Sequence, residues 1–214
     1  MSVALSFADA ERAYLADALD HLGPDAPTLC EGWTTRDLAI HVMIRERRPD
    51  AAPGLVVPAL SGWTDKVMQS HRGDAYAEVV GRVRSGPPSW SPFAVPGVAG
   101  LANPFEFFVH HEDVRRAQPG WEPRELDADV EDLIWSRLGR QTRLMFRKVP
   151  VGVALRRRDD GAESVARAGT PIVTVVGLPS ELVLYAFGRR SVAKVDLEGD
   201  ASARSQLESA ELGI

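Results

Sequence analysis

Glu106 and His110 stand four residues apart in the run EFFVHHEDVRRA. On a helix that spacing sets both side chains on one face, one turn apart. A carboxylate oxygen and an imidazole nitrogen placed together are ligands for a divalent ion, zinc above all. His41, in LAIHVMIRER, falls midway along another helical stretch, from which a bundle could aim it at the same point. Three protein ligands would leave one position of a tetrahedral ion open, the arrangement of catalytic zinc. The same residues have plainer readings. Glu106 follows Asn103 by three and could complete a capping box. His41 could be a half-buried core histidine, and His110 and His111 polar surface residues. His111, five after Glu106, should point off the ligand face. His21 and His71 fall near helix ends, as caps or surface.

Other chemistry is thinly represented. Cys30 is the single cysteine, so no intramolecular disulfide and no Cys-based structural zinc site can form. It fits a reducing compartment, and in LCEGW it reads as a small buried residue and not a nucleophile. No Gly-rich phosphate loop and no Gly-x-Ser-x-Gly elbow occurs. Arg156-Arg157-Arg158 runs straight into Asp159-Asp160 and reads as a solvated strand end.

The elements that must position these residues are mostly helical at first. Phe7, Ala10, Tyr14, Leu15, Ala18 and Leu22 make one apolar stripe, with Ser6 as N-cap and Gly23-Pro24 as the stop. A second helix runs from Thr34 toward Pro49, with Thr34 as cap and Asp37 near its positive end. Residues 51–62 read as loop. Helical stretches follow over 64–71 and 74–84. SGPPSWSPFAVPGVAG reads as an ordered loop in which Trp90, Phe93 and Val95 pack. Asn103 and Pro104 start the helix that carries Glu106 and His110. Another runs from about Asp127 to Lys148. Near Pro150 the pattern turns to short β-type runs at VGVAL, PIVTVVG and AKVDLEG. A helix from Pro179 through LVLYAFGRR separates the last two, and a short one follows over 201–207. The expected architecture is α+β: a helical bundle over residues 1–149 and a small α+β domain over 150–214.

The chain has 214 residues, 44% hydrophobic and 26% charged, with a formal net charge of -5. That composition is globular. The acidic balance and the lack of a long basic block argue against nucleic acid as a partner. No apolar run reaches the roughly 20 residues of a membrane helix, and the N-terminus lacks a secretory pattern. A cytoplasmic protein is expected; its oligomeric state is left open.

LCEGWTTRDLAIHV resembles the second-helix motif of the mycothiol-dependent maleylpyruvate isomerase family, with Trp33, Thr34, Asp37, Leu38 and His41 matching. EFFVHHEDVRRA is similar to the family's later helix at Glu106 and His110, with Asp113 in the following turn. TVVGLPSELVLYAFGRR resembles the strand, helix and Gly-Arg of its small second domain. The stretch RERRPDAAPG resembles an actinobacterial metal-binding branch. The resemblance covers nearly the whole chain. It implies a DinB-like four-helix bundle followed by a sterol-carrier-like α+β domain. It also implies a zinc or other divalent site at His41, Glu106 and His110, with mycothiol as the thiol cofactor. A metal-bound thiolate could add to an activated double bond, permit rotation and leave, or stay attached as an S-transfer. Partners would be a small-molecule thiol and a small-molecule substrate. Arg189 is the candidate cofactor contact, against a plainer role closing a helix end. The rival reading is a non-catalytic metal-binding or regulatory bundle.

Overall fold

The computed structural model describes residues 3–55, 57–94 and 105–212. They form two compact units, Met1–Glu122 and Pro123–Ile214. The first is helical: α1 (Val3–Leu22), α2 (Thr35–Arg47), α3 (Ser61–His71), α4 (Tyr76–Ser85) and α5 (Glu106–Arg115). The second contains α6 (Ala128–Met145), β1 (Gly152–Arg157), β2 (Glu163–Arg167), β3 (Ile172–Gly177), α7 (Pro179–Ala186), β4 (Asp196–Glu198) and α8 (Ala201–Ser209). The chain is therefore α+β.

In the helical unit α1 packs along α5 and α4, α4 along α2, and α3 against α2. The seam is a continuous apolar core that includes Leu15, Leu19, Leu38, Ile44, Val80 and Phe107. Removing such side chains from water is the main force holding helices this short together. α2 begins where its sequence says: Asp37 Oδ2 accepts from the Thr34 N–H at 3.1 Å and from its hydroxyl at 3.1 Å. Gly32 takes φ 74° in the turn that delivers Trp33, a conformation glycine adopts without penalty.

α1 departs from its expected stripe. The helix already runs at Val3, so Ser6 lies inside it. Its buried positions include Glu11, Leu15, Ala16 and Leu19, while Tyr14 is 52% exposed. Glu11 can be buried because it pairs with His111 on α5 at 3.0 Å, a partner 100 residues away. Trp90 also departs: it is 64% exposed. Phe93 does find a neighbour, the Arg45 guanidinium 5.7 Å above its ring. Val95, Asn103 and Pro104 lie outside the described residues.

In the second unit the sheet order is β2-β1-β3-β4. β1 is parallel to β3, and β2 and β4 are antiparallel edges. β2 was not expected; its sequence ESVAR is short and mostly polar, as suits an edge strand. α6 packs against α7 and β2. The division into units thus falls at Glu122/Pro123 and not at 149/150, because α6 belongs with the sheet. α7 ends at Ala186, short of the expected Arg190. The arginine run is not simply solvated: Arg157 is buried, bonded to Asp132 at 2.6 Å and to Asp159 at 2.9 Å. Arg156 and Arg158 are the solvent-side members, each paired to carboxylates.

Candidate metal centre

α5 is an unusual helix. Every residue from Glu106 to Val114 is buried, yet the run contains five ionisable side chains. Burying a charge without a partner costs several kcal/mol, so each must be accounted for. His111 takes Glu11. Glu112 takes Arg115 at 2.9 Å and Arg116 at 2.5 Å. The remaining three, Glu106, His110 and Asp113, form a separate cluster that reaches toward α2 and the loop before it.

His41 Nε2 lies 3.4 Å from Glu106 Oε1, and His110 Nε2 lies 3.3 Å from the same oxygen. The ligand-type atoms of His41, Glu106 and His110 all fall within 4.8 Å of one another. The other carboxylate oxygen, Oε2, is held by Arg45 Nη1 at 3.1 Å. Arg45 is one turn after His41 on α2, so one helix face supplies a ligand-type imidazole and the cation that fixes the carboxylate. Trp33 packs on His41 with ring centroids 5.0 Å apart. The two imidazoles meet nearly edge-on, centroids 5.2 Å apart.

Behind His110, Nδ1 lies 2.9 Å from Asp113 Oδ2, and Cys30 Sγ lies 3.3 Å from that same oxygen. Cys30 is thus a thiol donor at a polar cluster, not a purely apolar filler. His41 Nδ1 is buried and has no hydrogen-bond partner among the described residues.

Electrostatics separate the three groups. Burial alone would raise the Glu106 carboxyl, but its contacts with His110 and His41 and the charge of Arg45 outweigh this and hold it well below the usual carboxylate range. For His41 burial dominates and lowers the pKa, against the opposing pull of Glu106. For His110 burial again lowers the pKa, but Asp113, Cys30 and Glu106 together carry it well above the ordinary histidine range.

The donor set fits a divalent ion. Ligands about 2.0–2.1 Å from a tetrahedral zinc stand about 3.3–3.4 Å apart, the spacing found between Glu106 Oε1 and each imidazole. Those contacts are long for N–H···O hydrogen bonds, which centre near 2.9–3.0 Å. The sequence therefore identified three residues that the fold does bring together. It missed Arg45 and Cys30, although Arg45 carried a signal in its four-residue offset from His41. His21 and His71 stay at helix ends, in the last turns of α1 and α3. His71 Nδ1 lies 2.9 Å from Asp74. Arg189 lies in the second unit, where its Nη1 donates to the Phe187 carbonyl. Trp33 also lines a cavity of about 310 Å³ with Asp37, Ile40, Asp65, Met68, Gln69 and Arg72, none of them among the three converging groups. Among the described residues no helix is long and apolar enough to cross a membrane.

No family profile and no curated protein sequence matches the chain. Among solved structures, the crystal structure of the mycothiol-dependent maleylpyruvate isomerase is similar: TM-score 0.58, 16% identity, with 91% of each chain covered. At that identity the likeness is one of fold, and in fold the chain is related to that isomerase.

Proposed function

We propose that the chain binds one divalent ion, zinc by preference, through His41, Glu106 and His110. We further propose that it uses this centre with a small-molecule thiol, mycothiol in the leading reading, to isomerise or S-transfer a small substrate. The observation that carries the metal is the convergence of two imidazole nitrogens on one carboxylate oxygen at coordination spacing. The fold relation to a mycothiol-dependent isomerase supports the thiol. A zinc ion held by three protein ligands, when bound, deprotonates a coordinating thiol near neutral pH.

The chain's own residues prepare that site. Arg45 engages Oε2 of Glu106 and leaves Oε1 facing both histidines. The indole of Trp33 lies against His41 and keeps water from one side of that ring. Burial lowers the pKa of His41, which favours the neutral form a ligand requires. Arg189 as a contact to the thiol is part of the proposal.

The test uses cobalt in place of zinc, because a His/His/carboxylate set accepts several divalent ions. Adding mycothiol should produce a sulfur-to-cobalt charge-transfer band in the near ultraviolet that saturates with thiol and releases protons. Mycothiol should bind more tightly than a bare thiol, and Arg189→Ala should narrow that gap. A cobalt-loaded protein showing no new band at any thiol concentration would leave a closed, non-catalytic centre and overturn the enzymatic reading.

A further inference from the structure

We propose that Asp113 and Cys30 are positioning residues for the metal centre, a two-step relay that fixes the His110 ring from behind. The inference rests on the metal reading above and adds the layer outside its ligands. A neutral imidazole carries one proton on one of two nitrogens, and the nitrogen facing a metal must be the bare one. His110 turns Nε2 toward Glu106 and His41, so its proton belongs on Nδ1. Asp113 Oδ2 stands 2.9 Å from Nδ1 and accepts from an Nδ1–H, so of the two neutral tautomers it selects this one. An acceptor in this position sets both the tautomer and the ring plane of a metal-binding histidine.

Asp113 itself must be held. Its side chain is 0% exposed, so water does not orient the carboxylate. Cys30 Sγ, 3.3 Å from the same oxygen, supplies a donor from a different part of the chain. Its loop is tied to α5 by backbone as well: the Leu29 N–H donates to the Asp113 carbonyl at 3.0 Å. The Thr28 hydroxyl accepts from the Cys30 N–H at 3.2 Å, which fixes the thiol's own backbone. This loop leads directly into α2, the helix that carries His41. One residue, Asp113, therefore steadies the ring of one ligand and anchors the loop that launches the other.

The relay makes a claim that a merely structural role does not. Cys30 donates to Asp113 and also contacts His110 itself, so its effect should shrink when Asp113 is gone. The experiment is a double-mutant cycle on the full chain, with zinc affinity read by competition against a chromophoric chelator. Asp113→Ala should weaken zinc by about 10–100-fold. Cys30→Ala should weaken it by about 2- to 10-fold, the worth of one ordinary hydrogen bond. Cys30→Ala in the Asp113→Ala background should cost clearly less than Cys30→Ala alone. Cys30→Ser keeps a hydroxyl donor and should recover part of the loss. A second readout is nitrogen-15 histidine NMR of the zinc-loaded protein, in which a slowly exchanging Nδ1 proton on His110 should be present and should disappear in Asp113→Ala. If Asp113→Ala does not fold, Asp113→Asn carries the same arms, with a smaller loss because the amide oxygen still accepts. Wild-type zinc affinity in both Asp113 variants overturns the relay alone. A Cys30→Ala effect of full size in the Asp113→Ala background does the same. Failure of the unaltered chain to bind zinc overturns the metal reading itself.

Discussion

Replacing His41 or His110 by alanine should strip the chain of its divalent ion. Elemental analysis of protein purified without chelators should find close to one equivalent in the unaltered chain and little in either variant. The loss of affinity should exceed the roughly 10–100-fold that removal of an outer partner costs, because a coordinate bond is lost outright. His111→Ala is the matched control. It sits beside His110 in sequence, is as buried, and faces Glu11 on α1. It should lower stability and leave the metal in place. A full equivalent retained in both His41→Ala and His110→Ala would sink the assignment.

The second large effect is on folding. Arg12 meets Glu46 with two contacts of 2.6 Å and lies 4.1 Å above the Phe107 ring. The Glu46 side chain is 4% exposed. Arg12→Ala would leave that carboxylate buried without its cation, and breaking a buried pair in this way costs about 3–5 kcal/mol. Urea unfolding of the helical unit should show it. Removing both partners, with Arg12→Met and Glu46→Gln together, should cost less than Arg12→Ala alone, since no stranded charge remains. A loss below about 1 kcal/mol would put the pair in the class of surface salt bridges and would contradict its burial.

What could be read from the sequence was what is local. The start of α2 was legible because Thr34 and Asp37 carry their cap within three residues. Glu106 and His110 were legible because four residues on a helix is a geometric statement. What could not be read depends on distant partners. The expected stripe included Tyr14 and left out Glu11, whose burial depends on His111 pairing with it from another helix. Arg157 looked solvated because Asp132, which lies on α6, is 25 residues away. β2 was hidden because a short edge strand needs no apolar run. The compact units divide at Glu122/Pro123, away from the expected 149/150, for a related reason. The pattern of α6 says that it is a helix, but not that its apolar side meets α7 and a strand.

The contact between Arg45 and Glu106 has a consequence for which ions the chain would accept. With Oε2 tied to a guanidinium, the carboxylate offers one oxygen and not two, and the other two donors are nitrogens. Calcium takes six to eight oxygens and commonly a two-oxygen carboxylate, and magnesium requires a near-octahedral oxygen shell. Both are abundant in cells, and both find here one oxygen and two imidazoles. Ions that favour nitrogen and tolerate four neighbours find what they need. On the metal reading proposed above, Arg45 would act as a filter by leaving Glu106 a single free oxygen. Arg45→Ala should relax that discrimination by freeing the second oxygen, without touching any group that holds the ion.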